Sequence, residues 1–282
     1  MFRLILFISF IMTLSANTFS QTANGHYANI NGLHLYYEVH GSGQPLLLVH
    51  GGGSTIETSF GRLLPELAKK YKVIAVDMQA HGRTKDNGQP LSFERDADNL
   101  SALLEQLNIK SAAIFGFSNG ATTAMQMAIR HPQQVDRLIL ASALFKRSGV
   151  DPAFWGGFDH AELSMMPKPL ADGYLKVNND QKGLQTMFER DVQRMKNFKD
   201  IPDEDVRRIN APALIVSSDQ DVIKPEHSVE LYRLVPHGQL IILPGFHGEW
   251  MGALESSPPN NPLPAQALPL LEKFLDTPAK GK

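Results

Sequence analysis

Residues 112–120 read Ala-Ala-Ile-Phe-Gly-Phe-Ser-Asn-Gly. Ala112 to Phe115 is apolar without alternation, the pattern of a strand buried on both faces. Asn119 to Arg130 follows at once and reads as a helix. Between them, Gly116-Phe117-Ser118-Asn119-Gly120 has the form G-x-S-x-G. The spelling arises often by chance; its place between a buried strand and a helix makes it informative. A serine on so sharp a turn projects its hydroxyl from the edge of a sheet. The same turn crowds the neighbouring backbone, and glycine two residues before and two after relieves the clash. Ser118 is therefore the candidate nucleophile, the bland reading being a glycine-rich connection and nothing more.

Working outward, the same rhythm repeats. Leu33 to Val39 alternates polar and apolar residues like an outer strand. Pro45 to Val49 is a continuous apolar run ending in His50-Gly51-Gly52-Gly53, and Val73 to Val76 is another, ending at Asp77. Leu138 to Ala141, Ala213 to Val216 and Leu240 to Leu243 complete the set. Helical patterns lie between them at Phe60 to Tyr71 and Phe93 to Leu107, and a last helix is expected at Ala265 to Leu275 after a proline-rich loop. Alternation of this kind predicts an α/β fold: a mostly parallel central sheet with helices on both faces. The stretch 145–206 breaks the rhythm and has no buried strand, while Gln181 to Phe198 spaces Leu184, Met187, Phe188, Val192 and Met195 as on a helix. It is expected to be a helical lid inserted between a first core part, 21–144, and a second, 207–282.

Composition narrows the chemistry. The chain of 282 residues has a formal net charge of −2, so no basic excess points to nucleic acid. It has no cysteine, which excludes disulfides, thiolate catalysis and cysteine-ligated zinc. No H-E-x-x-H spacing, phosphate loop or dinucleotide fingerprint is present, so neither metal nor cofactor is expected. Residues 1–20 differ from the rest: Arg3, then an apolar run from Leu4 to Leu14, then small and polar residues. This is the pattern of a signal peptide, with cleavage after Ser20 or after Ala16. It implies a bacterial protein that is periplasmic or secreted and keeps no stable membrane anchor after cleavage; an uncleaved anchor is the other reading.

The motifs together resemble the α/β-hydrolase family. His50-Gly51-Gly52-Gly53 is similar to the family's oxyanion loop, and Asp77-Met78-Gln79-Ala80-His81-Gly82-Arg83-Thr84 to its D-x-x-x-H-G-x-S/T turn. The resemblance implies a chain order of Ser, acid, His. Ser118 would be the nucleophile and His247, in the loop past the last strand, the base. Asp221 would be the acid, four residues before Pro225, with Asp219 as the alternative. It implies an oxyanion hole from the N–H groups of Gly52, with Gly53 as the alternative, and Asn119. His50 and His81 would be structural. Gly53 and Phe117, with Phe154, Trp155, Phe158 and Met165 of the lid, are candidates to line a substrate site, although the lid side chains would equally form the lid's own core. The implied reaction is hydrolysis of a small-molecule carboxylic ester or lactone through an acyl-enzyme. A proline-iminopeptidase-like aminopeptidase, with Asp159 and Glu162 as hints of amine binding, and a carbon–carbon bond hydrolase are alternatives. A ligand-binding pseudohydrolase is the reading from a different class.

Overall fold

The computed structural model describes residues 25–277, and the expected signal peptide, residues 1–20, lies outside the described residues. Each continuous apolar run becomes a strand of one sheet. Strands β1 (Gly25–Ile30), β2 (Leu33–His40), β3 (Pro45–Val49), β4 (Lys72–Asp77), β5 (Ala112–Phe117), β6 (Val135–Ala141), β7 (Ala213–Ser218) and β8 (Gly238–Leu243) lie in the order β1-β2-β4-β3-β5-β6-β7-β8. β1 and β2 pair antiparallel, as do β2 and β4; every later pairing is parallel.

The lack of alternation in the central strands has a direct cause: successive residues enter two different cores. Leu47, Val49, Ile74, Val76, Ile114 and Leu138 point to one face. There they meet α3 (Phe93–Gln106), α4 (Asn119–Arg130), α8 (Asp203–Arg207) and α9 (Pro225–Leu234) through Leu100, Met125, Val206 and Leu231. Leu46, Leu48, Val73, Phe115 and Ile139 point to the other. They pack on α1 (Ile56–Phe60), α2 (Leu64–Leu67) and α10 (Leu263–Asp276) through Phe60, Leu67, Leu271 and Phe274. Each large apolar side chain buried this way contributes about 1.5–3 kcal/mol by leaving water.

Two of the expected elements take a different form. The helix expected over Phe60 to Tyr71 is instead α1 and α2. Thr55 starts α1 early through a reciprocal capping box with Thr58, and α2 takes Pro65 into its first turn, where the missing N–H costs nothing. β8 is an edge strand with Gln239 and Ile242 exposed, rather than a strand covered on both sides.

Between β6 and β7 the chain is helical, with α5 (Pro152–Gly157), α6 (Lys168–Val177) and α7 (Gln181–Lys196) preceding α8. Asp180 caps α7 by accepting the N–H groups of Lys182 and Gly183. Two small apolar clusters form under these helices, one around Phe198, Met195 and Phe93, the other around Tyr174, Leu184 and Met187.

Candidate active site

Four neighbouring parallel strands, β5 to β8, end at one edge of the sheet, and each delivers a polar side chain there. Ser118 follows β5 with φ 55° and ψ −119°. A non-glycine residue in that region costs about 1–3 kcal/mol and persists only when its surroundings over-determine it. Here the Ser118 N–H donates to Ala141 O at 2.8 Å, and Ser118 O accepts the Ala121 N–H at 2.9 Å. The flanking glycines are obligatory. A Cβ on Gly116 would collide with the Gly120 backbone, and one on Gly120 with the carbonyls of Val49 and His50.

Asp221 lies in the loop after β7 and His247 in the loop after β8. The Asp221 side chain is fully buried, and its Oδ1 lies 2.6 Å from His247 Nδ1. A carboxylate only accepts, so Nδ1 carries the proton and Nε2 is left with the lone pair. Asp221 Oδ1 also accepts the Ile223 N–H at 3.0 Å, and Oδ2 accepts the hydroxyl proton of Ser142 at 2.5 Å. Ser142, at the end of β6, is held at φ 51°. Burial alone would push the imidazole of His247 down, but the Asp221 carboxylate outweighs it and holds the ring above its ordinary value. Burial works upward on Asp221, yet His247 and the bonds from His247 and Ser142 keep it below the usual carboxylate range. Asp219 does something else: its Oδ1 accepts the Gly245 N–H at 2.9 Å, clamping the two loops together from an exposed position.

Phe117 and His247 lock the two halves of the site. Their rings stand 4.8 Å apart between centroids, and a Cβ on Gly248 would come within 2.5 Å of the Phe117 ring. No hydrogen bond joins the Ser118 hydroxyl to His247 among the described residues. In unliganded sites this contact is commonly long and tightens when substrate arrives.

The oxyanion loop approaches Ser118 from β3. A Cβ on Gly51 would lie 3.3 Å from Ser118 Cβ, and one on Gly52 would strike the Asn119 side chain. The Gly53 N–H is taken: it donates to Asp191 Oδ2, on α7, at 2.5 Å. The Asn119 N–H lies at the N-terminus of α4, where the helix dipole favours negative charge.

The two motif histidines below this loop are in different charge states. His50 Nδ1 donates to Gly51 O at 2.7 Å and Nε2 accepts the Met78 N–H at 3.0 Å, so the ring is neutral. Burial and the nearby His81 push it down to about 3. His81 faces acceptors on both sides, Gln79 O at 2.8 Å from Nδ1 and Asp191 Oδ2 at 2.9 Å from Nε2. It is therefore an imidazolium; burial disfavours the charge, but Asp191 overrides it and raises the ring above its ordinary value. Asp191 also accepts from Arg194 Nη2, and Arg194 Nη1 donates to Asp96 Oδ2 at 2.9 Å. Burial opposes ionisation of Asp191, yet Arg194 and His81 keep it well below the usual carboxylate range.

The side chains proposed to line a substrate site fall in different places. Phe117 is 1% exposed, with its ring against His247, and so props the imidazole. Phe154, Trp155 and Phe158 pack on one another and on the cluster of Phe93 and Phe198. Trp155 Nε1 donates to Arg147 O at 2.9 Å while the Arg147 guanidinium lies 3.8 Å above its ring. Met165 is 67% exposed. Its neighbour Met166 is the one that reaches the oxyanion loop, with Cε 3.3 Å from where a Gly53 Cβ would stand. Asp159 and Glu162 are both exposed. Ser142 and Asp191 were not foreseen; neither sits in a motif, and each meets its partner only across a long sequence separation.

Comparison with known proteins agrees with this architecture. The family model described as alpha/beta hydrolase fold matches residues 44–171. The chain is 26% identical to the human serine hydrolase BPHL over 81% of each chain. It is 28% identical to the 2-hydroxy-6-oxo-2,4-heptadienoate hydrolase of Pseudomonas putida, over 75% of this chain and 84% of that one. The crystal structure of an enol-lactonase from Burkholderia xenovorans superposes with a TM-score of 0.68 at 20% identity, covering 89% of this chain and 100% of that chain. The chain has the α/β-hydrolase fold.

Proposed function

We propose that this protein is a serine hydrolase that cleaves small carboxylic esters or lactones through an acyl-enzyme. The observation that carries the reading is the Asp221–His247 contact of 2.6 Å, built on loops after β7 and β8 at the same sheet edge as the strained Ser118 turn. Nδ1 of His247 is occupied by Asp221, so the free Nε2 takes the Ser118 proton as Oγ attacks the acyl carbon. The electron pair of the carbonyl moves to its oxygen, which the N–H groups of Gly52 and Asn119 stabilise; one such donor is worth about 2.7–4 kcal/mol where it has been removed. The imidazolium returns its proton to the leaving alcohol. Water, deprotonated by the same imidazole, then releases the acid and restores Ser118. In this reading the helices between β6 and β7 form a lid, and Met166 and Leu170 approach Gly53.

The Pseudomonas putida relative favours a second reading, hydrolysis of a carbon–carbon bond beside a ketone, which uses the same nucleophile and base. A burst of nitrophenol from p-nitrophenyl acetate, followed by slower steady turnover, supports the ester reading. Turnover of a 2-hydroxy-6-oxo-dienoate with no ester activity favours the second. An absence of both contradicts the hydrolase proposal altogether. We also propose that the chain is exported with removal of its signal peptide, after Ser20 or after Ala16; a mature N-terminus at Gln21 or Asn17 supports this, and an intact Met1 on a cytoplasmic protein contradicts it.

A further inference from the structure

Asp191 hydrogen-bonds the glycine-rich loop after β3 from the helical segment. It lies on α7, 138 residues from Gly53, and its carboxylate accepts the Gly53 N–H at 2.5 Å. The same oxygen accepts from His81 Nε2 at 2.9 Å, and the other oxygen from Arg194. A carboxylate beside an oxyanion hole would ordinarily oppose the negative charge that forms there. Here the imidazolium of His81 and the guanidinium of Arg194 flank it, so the anchor carries no uncompensated negative charge toward Ser118. α7 is tethered independently: Arg190 reaches Asp86 Oδ2 at 2.9 and 2.7 Å, and Arg194 reaches Asp96 at 2.9 Å. Removing the Asp191 carboxylate therefore frees the loop while α7 keeps its other ties.

We propose that Asp191 is a positioning residue: it holds the His50-Gly51-Gly52-Gly53 loop from α7 so that the Gly52 N–H, rather than that of Gly53, faces the acyl oxygen. With Gly53 pinned to Asp191, the loop pays its ordering entropy on folding rather than at the transition state. This inference rests on the serine-hydrolase reading and specifies which groups build its oxyanion hole.

The test uses an alkyl trifluoromethyl ketone and the secondary alcohol of the same chain length as inhibitors of the full-length protein, with the matching p-nitrophenyl ester as substrate. The ketone adds Ser118 Oγ to its carbonyl carbon, passes the hydroxyl proton to His247 and leaves negative charge on the former carbonyl oxygen, so it reports the hole. The alcohol forms no such adduct and reports ground-state binding. Asp191→Ala is expected to weaken the ketone by about 10- to 100-fold and to lower kcat by the same factor, with KM and the alcohol within about 3-fold. Asp191→Asn, whose amide oxygen still accepts the Gly53 N–H, recovers most of the loss and retains a deficit of about 3- to 10-fold. That milder variant decides the matter if Asp191→Ala does not fold. Ketone affinity in Asp191→Ala equal to or tighter than that of the unsubstituted protein overturns the proposal, the tighter result meaning that the freed Gly53 N–H is itself a donor. A protein that forms no ketone adduct and turns over no ester, with Asp191 intact, defeats the serine-hydrolase reading and this inference with it.

Discussion

The protein holds two part-buried carboxylate–imidazole pairs built from the same residue types, and they differ in what the second ring nitrogen meets. In Asp221–His247 the contact is 2.6 Å and one ring nitrogen is left free at the sheet edge. In Asp191–His81 the contact is 2.9 Å, but the other nitrogen is spent on Gln79 O at 2.8 Å. A base needs an unengaged lone pair, and His247 keeps one; His81 has both nitrogens protonated and serves as a fixed positive charge. The pairing of an acid with a histidine is thus no signature of catalysis. The occupancy of the second nitrogen separates the proposed base from a structural cation, and the neutral His50 beside His81 shows a third arrangement of the same ring.

Substitutions can break this contrast. The largest effect is expected at the nucleophile: Ser118→Ala should lower kcat by about 10⁶-fold, as where catalytic serines have been removed elsewhere, with unchanged thermal unfolding. Next, Asp221→Asn should cost about 10⁴-fold in kcat, because the amide permits the wrong tautomer of His247. Asp219→Asn should stay within about 3-fold, since its role is a loop clamp worth one surface hydrogen bond. Steady-state kinetics on both variants checks the ranking, and the reverse order would make Asp219 the acid. Ser142→Ala should be milder, about 3- to 10-fold in kcat, because it strips one hydrogen bond from a carboxylate that keeps two others.

The pH response sharpens the same contrast with a smaller effect. In the proposed reaction His247 can act as a base only when neutral, and Asp221 raises its pKa. The ascending limb of kcat/KM should therefore have its midpoint above the ordinary imidazole value of about 6.5. It should move to lower pH in Asp221→Asn. The linkage to stability has a fixed sign. The contribution of depressed Asp221 is present above its unfolded value and lost as pH falls through its folded one. That of raised His247 and His81 is present at low pH and lost as pH rises through their folded values. Urea unfolding at a series of pH values measures both flanks.

Much of this was legible in the sequence because it is local. Apolar runs without alternation marked β3 to β7, and the glycines around Ser118 announced a turn whose strain the backbone bears out, at φ 55°. Asp221 could be ranked above Asp219 only through a resemblance, and the geometry puts Asp221 against His247. β1 was missed although Asn31-Gly32, both with positive φ, forms the tight hairpin turn that such a dipeptide favours. The break between α1 and α2 depended on capping by Thr55, which periodicity does not register. Asp191 was invisible for a different reason: its partners Gly53 and His81 are 138 and 110 residues away, and a charge on a helical segment reads as a solvated face until the fold buries it.

The most direct measurement is peptide mapping by mass spectrometry after the protein has been mixed with an activated ester and quenched in acid. The account predicts one acyl group, on Ser118, absent from Ser118→Ala and accumulating in Asp221→Asn only slowly. Acylation of a different residue, or full turnover by Ser118→Ala, would contradict it.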